Sequence, residues 1–192
     1  MKTFIGEYFL KDNSICDKLI NLYENSEYKL DGSFGPNLTI DYNKKQSTEI
    51  EFNTQYLHDK DSPQRLYLAE LQEILYKYIE EYPLCNENDP FSIIEVLKIQ
   101  HYKPNEGYHI LHCERGTAKG MASSRHLVFM TYLNDVNDGG GTEFPQQDLI
   151  VNPKKGKTLI WPVDWTHTHR GIVSPTEHKY IITGWFNYID RK

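Results

Sequence analysis

Two stretches in the first half of the chain carry the spacing of amphipathic helices. From about Asp12 to Asn25, apolar residues recur three or four positions apart, which predicts one buried face. A second helix is predicted to begin at Ser62-Pro63, because serine is a good N-cap and proline suits the first helical position. It ends before Pro83. The predicted core positions are Ile15, Leu19, Ile20 and Leu22 in the first helix and Leu66, Leu68, Leu71, Ile74, Leu75, Tyr78 and Ile79 in the second.

The pattern changes from Phe91 onwards, where short β-branched or aromatic runs replace the helical spacing. The runs are SIIEVLKIQHY, RHLVFMTYL, KTLIWPV and KYIITGWFNYI, and turn-forming sequences such as NDGGG and NPKKG separate them. Residues 31–60 are polar and rich in Asn, Asp and Gly, so we expect a long loop with at most short strands. A helical part followed by short strands predicts an α+β, mainly β, fold of the sandwich, barrel or jelly-roll type.

Composition narrows the class of protein. The 192 residues suit one domain, and 39% of them are hydrophobic, which is enough for a substantial core. The net charge of −6 predicts no basic surface for nucleic acid, and no apolar run approaches a membrane span. The three cysteines have no paired spacing, and the N-terminal residues lack the apolar segment of a signal peptide. We therefore expect a cytoplasmic protein without nucleic-acid or membrane partners, and the sequence predicts no oligomeric state.

The segment YHILHCERG contains the first candidate metal ligands. In a strand, side chains alternate between faces, so His112 and Glu114 would point one way and His109 the other. A third ligand can come from THTHRG, where strand geometry does not distinguish His167 from His169. Two histidines and one carboxylate leave the opposite side of a metal open for a co-substrate and O2, as in non-haem Fe(II) enzymes. The alternative is a chance His-x-Glu pair among ordinary hydrogen-bonded histidines.

Further sequence blocks extend this candidate site along the C-terminal half of the chain. They are Tyr102-x-Pro104-Asn105-Glu106-Gly107-Tyr108, His112-Cys113-Glu114, Arg125 with Tyr132-Leu133-Asn134, Gly139-Gly140-Gly141-Thr142-Glu143-Phe144-Pro145, Pro153-Lys154-Lys155-Gly156, His169-Arg170-Gly171-Ile172-Val173, Lys179-Tyr180-Ile181 and Trp185. With these blocks in this order, the chain resembles the prolyl 4-hydroxylase-like branch of the Fe(II)/2-oxoglutarate-dependent dioxygenases. The resemblance implies a double-stranded β-helix (jelly-roll) core with N-terminal helices packed outside. We expect a single domain over 1–192, with 1–90 as a helical support region and 91–192 as the jelly-roll core.

The resemblance also implies the metal ligands. In similar enzymes a basic residue follows the distal metal histidine by about ten positions and binds the C5 carboxylate of 2-oxoglutarate. Lys179 stands in that relation to His169, so the implied ligands are His112, Glu114 and His169. The family usually has aspartate where this chain has Glu114. Because glutamate is one methylene longer, the metal would lie farther from the backbone, or the side chain would fold back.

Four more residues match positions near the co-substrate or substrate of similar enzymes. Tyr102, Tyr132 and Trp185 fall beside the cofactor-binding position, and the alternative for each is an ordinary strand or core residue. Arg125 matches an arginine that lies near the substrate, and the alternative is a surface salt bridge.

The activity implied by the resemblance uses Fe(II), 2-oxoglutarate and O2, with ascorbate as a candidate reductant, and releases succinate and CO2. Its substrate would be a proline-containing peptide or protein. Two alternatives stay open: the same chemistry on a free amino acid or another side chain, and a non-catalytic barrel that binds a metal or a ligand. Nucleic-acid demethylation is disfavoured, because that branch uses arginines where Lys179 stands.

Overall fold

The computed structural model describes residues 2–35, 38–117 and 119–189. Its two long helices, α1 (Ser14–Glu24) and α2 (Pro63–Glu81), lie where the apolar spacing predicts them. Ser62 caps α2, since its side chain accepts a hydrogen bond from the backbone amide of Arg65. None of the described helices is long and apolar enough to cross a membrane.

Strands make up most of the remaining regular structure. They are β1 (Gly6–Phe9), β2 (Leu30–Asp31), β3 (Thr48–Phe52), β4 (Phe91–Ser92), β5 (Leu97–Tyr102), β6 (Arg125–Tyr132), β7 (Thr142–Phe144), β8 (Leu149–Val151), β9 (Lys157–Pro162), β10 (Arg170–Gly171) and β11 (Lys179–Tyr188). Short 3-10 turns lie at Thr54–Tyr56, Pro83–Asn86, Met121–Ser124, Pro145–Gln147 and Trp165–His167.

The strands form two antiparallel sheets. The larger has the order β1-β9-β6-β11-β5-β3-β2, with β4 paired to β11, and the smaller has the order β10-β7-β8. Register in the larger sheet aligns Trp161, Val128 and Trp185 across β9, β6 and β11. It also places Lys179 opposite Tyr102 at one end of the β11–β5 pair. Residues aligned in this way share one face of the sheet.

Each face of the larger sheet belongs to a different apolar core. On one face, Leu97, Phe129 and Ile182 pack in a single cluster with the buried residues of the helices. Those helix residues are Ile15, Cys16, Leu19 and Tyr23 of α1 and Tyr67, Leu71, Ile74, Leu75 and Tyr78 of α2. On the other face, a second cluster joins the larger sheet to Phe144 and Val151 of the smaller sheet. The space between the two sheets is where the candidate site residues lie.

Two expectations from the sequence need correction. Residues 1–90 are not only helical, because β1, β2 and β3 are part of the larger sheet and β3 pairs with β5 along five positions. The segment YHILHCERG is not a regular strand. It is held instead by isolated bridges, which pair Lys45 with Tyr108 and His112 with His169.

Candidate active site

A cavity of about 500 Å³ is lined by residues of both sheets. All the site residues that the sequence analysis proposes line this cavity: His112, Glu114, His169, Arg125, Tyr102, Tyr132, Lys179 and Trp185. The larger sheet contributes the face that carries Trp161 and Trp185, and the smaller sheet contributes Thr142. Residues far apart in the chain therefore meet in one place.

His112, Glu114 and His169 form a compact group whose ligand atoms all lie within 4.8 Å of one another. Glu114 Oε1 is 3.4 Å from the Nε2 atoms of both His112 and His169. Metal–ligand bonds of about 2.0–2.2 Å would put neighbouring ligands about 3 Å apart, so a small contraction would complete a metal site. Two backbone hydrogen bonds between His112 and His169 fix the spacing of the two histidines.

Both histidines are oriented by their second ring nitrogen. His112 Nδ1 lies 3.1 Å from the carbonyl oxygen of Ile110, and His169 Nδ1 lies 2.9 Å from that of His167. Because a carbonyl oxygen only accepts, each Nδ1 carries the proton, and each Nε2 keeps a free lone pair. Burial lowers the pKa of His169, which favours the neutral imidazole that a metal requires. This donor set fits a divalent iron ion.

The carboxylate of Glu114 is held in its charged form. Burial acts to raise its pKa, but the imidazoles of His112 and His169 beside it hold the pKa well below its usual range. Its other oxygen, Oε2, accepts a hydrogen bond of 3.0 Å from Trp185 Nε1 and a longer one of 3.5 Å from Arg125 Nη1. Oε1 therefore remains as the oxygen that faces the histidines.

Lys179 is a buried cation without an acidic partner among the described residues. Its side chain is 4% exposed, and its Nζ donates to the carbonyl oxygens of Gly140 at 3.1 Å and Ile172 at 3.4 Å. It also lies 4.7 Å from the centre of the Tyr102 ring. Burial lowers the pKa of Lys179 to about 8. An unpaired buried ammonium at a cavity wall is suited to an anionic ligand.

The hydroxyls of Tyr102 and Tyr132 form hydrogen bonds with different partners. The Tyr102 hydroxyl donates to Gln100 Oε1 at 2.7 Å. The Tyr132 hydroxyl lies 2.6 Å from Thr142 Oγ1 and 3.2 Å from the Val151 carbonyl oxygen. Since a carbonyl only accepts, Tyr132 donates to Val151 and accepts from Thr142. Both phenols line the cavity, and both are held by hydrogen bonds within the protein.

The other histidines considered in the sequence lie outside the group of three. His167 is buried, but its Nε2 bonds to the carbonyl oxygen of Thr3 at 2.9 Å, and its Nδ1 lies 3.0 Å from Thr166 Oγ1. His109 is not part of the cluster of potential metal ligands among the described residues. The structure thus brings His169 to His112 and Glu114, and turns His167 away.

Sequence reasoning missed several residues of the cavity. Tyr108 stacks on the His112 ring with the ring centres 3.8 Å apart. It belongs to a block that carries the resemblance, but the sequence assigns it no role. Trp161 packs edge-on against His169, and its buried Nε1 has no partner among the described residues. Trp161 lies in an apolar strand run, where nothing in the pattern distinguishes it from a core residue. Lys45 lines the cavity and forms a buried ion pair with Glu49, and no motif marks either residue.

Comparison with known proteins gives the family of this site. Residues 97–187 match the model of the 2OG-Fe(II) oxygenase superfamily. No curated protein sequence matches the chain significantly.

Solved structures share the fold of nearly the whole chain. A viral collagen prolyl hydroxylase from Paramecium bursaria Chlorella virus-1, in its 2OG complex, has a TM-score of 0.70 at 17% identity, with 97% of each chain covered. A Pseudomonas putida prolyl-4-hydroxylase has a TM-score of 0.69 at 15% identity, covering 97% of this chain and 93% of that one. A Trichoplax adhaerens prolyl hydroxylase, in complex with a hypoxia inducible factor peptide fragment, has a TM-score of 0.71 at 17% identity, covering 97% and 84%. Residues 97–187 are therefore similar to the 2OG-Fe(II) oxygenase superfamily, and the chain has the fold of the prolyl hydroxylases.

Proposed function

We propose that this Fe(II)- and 2-oxoglutarate-dependent dioxygenase hydroxylates prolyl residues in a peptide or protein and releases succinate and CO2. The observation that carries the proposal is the pairing of two chemistries in one cavity. His112, Glu114 and His169 offer a facial set of metal ligands, and Lys179 offers a buried positive charge with no acidic partner among the described residues. A dicarboxylate that chelates a metal at one end needs both features.

In this proposal the metal ligands are the Nε2 atoms of His112 and His169 and Oε1 of Glu114. When bound, Fe(II) supplies the reaction of 2-oxoglutarate with O2 that oxidises the substrate. The protein orients the ligands through the two Nδ1 hydrogen bonds, and the apolar face around Trp161 and Trp185 limits access of water. Ascorbate remains a candidate reductant.

The far carboxylate of 2-oxoglutarate is proposed to bind Lys179. The ammonium would exchange its weak contacts with two backbone carbonyls for a charge-assisted hydrogen bond. The phenols of Tyr102 and Tyr132 and the indole of Trp185 would enclose the co-substrate. Trp161 lines the same cavity, and its Nε1 is a hydrogen-bond donor without a partner among the described residues. This donor is therefore available to the co-substrate.

The architecture supports the same proposal. Two antiparallel sheets enclose the cavity, as in a double-stranded β-helix, and α1 and α2 lie against the outer face of the larger sheet. We propose that the chain is one such jelly-roll domain over 1–192. The odd number of cysteines still favours a reducing compartment, so the cytoplasm is the proposed location.

A peptide substrate is favoured by the open side of the cavity. Phe34, Gly35 and the exposed Leu38, from the loop before β3, line it together with Gly116 and Thr117 from the segment after the Glu114 ligand. Binding residues are often carried on loops, and loops on two sides of the cavity can both contact an extended chain. The structural neighbours are prolyl hydroxylases, one of them in complex with a peptide fragment.

The experiment that tests the function measures succinate with Fe(II), 2-oxoglutarate and a panel of proline-containing peptides. We expect peptide to stimulate succinate release, and mass spectrometry to find one added oxygen atom on proline. His169→Ala should abolish both signals, and His167→Ala should retain them, because only His169 faces the metal position. Stimulation of succinate release by a free amino acid and by no peptide would instead favour the same chemistry on a free amino acid. Metal binding without any succinate would favour a non-catalytic barrel.

A further inference from the structure

Arg125 and Glu95 form a two-point ion pair at the edge of the cavity. Arg125 Nε donates to Glu95 Oε1 at 2.8 Å, and Nη2 donates to Glu95 Oε2 at 2.6 Å. The two side chains are only 16% and 12% exposed. Such a fork-to-fork pair fixes the plane of the guanidinium as well as its position. Asn187 Nδ2 in turn holds Glu95 Oε1 at 2.9 Å.

The fixed guanidinium lies directly against the metal ligand Glu114. Its carbon is 3.6 Å from the centre of the Trp185 ring, and its Nη1 donates to the backbone oxygen of Glu114 at 3.0 Å. Nη1 also reaches Glu114 Oε2 at 3.5 Å, where Trp185 Nε1 already donates. The backbone and one carboxylate oxygen of Glu114 are thus both held by groups that Glu95 keeps in place.

We propose that Glu95 is a positioning residue for the metal centre, and that it acts through Arg125 on Glu114. The inference rests on the proposed function, in which Glu114 is a metal ligand. A glutamate ligand has one more rotatable bond than an aspartate, so its carboxylate needs more restraint to present a single oxygen to the metal. Arg125 and Trp185 supply that restraint through their hydrogen bonds to Oε2. Glu95 keeps the Arg125 guanidinium in the position from which it makes this contact.

This arrangement limits what Arg125 offers a substrate. A guanidinium has five N–H groups, and the contacts with Glu95 and Glu114 engage Nε, both hydrogens of Nη1 and one of Nη2. Among the described residues, a single N–H remains for a peptide carbonyl. The main work of Arg125 is therefore to hold Glu114, and any contact with substrate is secondary.

The test measures Mn²⁺ affinity of the purified full chain by the loss of the free-ion EPR signal. Glu95→Gln keeps the shape of the side chain but removes the charge that holds Arg125. We expect Mn²⁺ affinity to fall roughly 10- to 100-fold, as for other partners of metal ligands. The matched control is Glu51→Gln, which removes a carboxylate from the same cavity wall, where it pairs with Lys98 at 2.8 Å. Its affinity should stay within a factor of about two.

A second comparison separates positioning from folding. Arg125→Lys keeps the positive charge but loses the planar fork, so we expect a similar fall in affinity. The double variant Glu95→Gln/Arg125→Lys should bind Mn²⁺ no more weakly than Arg125→Lys alone, because Glu95 acts through Arg125. Glu95→Asp should recover part of the loss. The visible spectrum of saturating Co²⁺ should change in Glu95→Gln, since the orientation of the carboxylate ligand changes.

Three results would overturn the inference, and they are distinguishable from failure of the proposed function. If wild-type protein binds no divalent ion, the function fails and the inference with it. If wild-type protein binds Mn²⁺ but Glu95→Gln binds equally well, only the inference fails. Equal losses in Glu95→Gln and Glu51→Gln would likewise reject it. If Glu95→Gln does not fold, Glu95→Asp is compared with the wild-type protein instead, and an unchanged Mn²⁺ affinity in that variant would also reject the inference.

Discussion

At the scale of single residues, Lys179 is the cation of the cavity wall that lacks an acidic partner among the described residues. Its ammonium is buried, and it is surrounded by carbonyl oxygens and an aromatic ring rather than by a carboxylate among the described residues. Burial alone lowers its pKa to about 8. A dianionic co-substrate would restore the missing counter-charge and raise that pKa again. If Lys179 binds the co-substrate as proposed, binding of 2-oxoglutarate is linked to the protonation of this one residue.

The linkage predicts how affinity depends on pH. Below pH 8, Lys179 already carries its proton in the free protein, and the dissociation constant for 2-oxoglutarate should be nearly flat. Above pH 8, binding must draw a proton from solvent, and the dissociation constant should rise by about tenfold per pH unit. Lys179→Ala should raise it roughly 10- to 150-fold at pH 7, since a charge-assisted hydrogen bond contributes about 1.5–3 kcal/mol. Calorimetric titration of the metal-loaded protein measures both effects.

Lys179→Arg is the control for the pH dependence, because a guanidinium stays charged throughout this range. Its affinity should change little between pH 7 and pH 10, whatever its absolute value. A wild-type dissociation constant that is flat up to pH 10 would contradict the assignment of Lys179, and so would an unchanged affinity in Lys179→Ala.

The sequence could predict the position of a site residue where neighbouring residues in the chain determine it, but not where a partner distant in the chain does. Alternation along an extended segment correctly put His112 and Glu114 on one side, although the segment is not a regular strand. It could not distinguish His167 from His169, because what turns His167 away is the carbonyl oxygen of Thr3, far away in the chain. Glu95 was missed for the same reason, since its partner Arg125 lies 30 positions later, at the start of β6.

At the scale of elements, the turn before β7 connects the fold to Lys179, the proposed ligand of the co-substrate. Gly139 and Gly140 both have positive φ, 76° and 73°, which glycine adopts at little cost. A Cβ on Gly139 would collide with the carbonyl oxygen of Val173. The carbonyl oxygen of Gly140 accepts from Lys179 Nζ, so the turn also places the lysine.

This geometry predicts that Gly139→Ala is destabilising. The left-handed backbone alone costs about 1–2 kcal/mol for a residue with a Cβ, and the collision with a backbone oxygen adds to that cost. Chemical denaturation should show the loss as a lower midpoint. The control is Gly116→Ala, where no atom lies within 4 Å of the added Cβ and φ is not positive. Equal stabilities of the two variants would show that the turn relaxes freely.

Elements with local signals were predicted better than elements defined by distant pairing. Both helices carry their own apolar periodicity, α2 is also capped by Ser62, and both were predicted within about two residues. Strand β1 was missed, because GEYF is short and interrupted by polar residues. It exists through its pairing with β9, about 150 positions later. The same holds for β3, which lies in a polar region expected to be mainly loop and gains its register from β5.

At the scale of the whole molecule, the two halves of the chain share one sheet. Strands β1, β2 and β3 from residues 1–90 flank strands that follow residue 91. Helix α2 is tied to the sheet by a buried hydrogen bond between the Tyr67 hydroxyl and Thr131 Oγ1, 3.0 Å apart. The cavity lies on the face opposite the helices, so the packing of α2 supports the sheet that carries the site. A division into independently folding parts would leave a large apolar face exposed to water.

The last prediction follows from this shared sheet. Leu71 of α2 is 1% exposed in the core between the helices and the sheet, so Leu71→Ala should cost about 2–5 kcal/mol. Because the chain is expected to unfold as one cooperative unit, helical circular dichroism and the fluorescence of the cavity residues Trp161 and Trp185 should shift by the same amount in denaturant. Leu84→Ala, at a leucine that is 80% exposed just after α2, should leave both transitions nearly unchanged. Loss of the helical signal before the tryptophan signal would instead show that residues 1–90 fold separately from the core that carries the site.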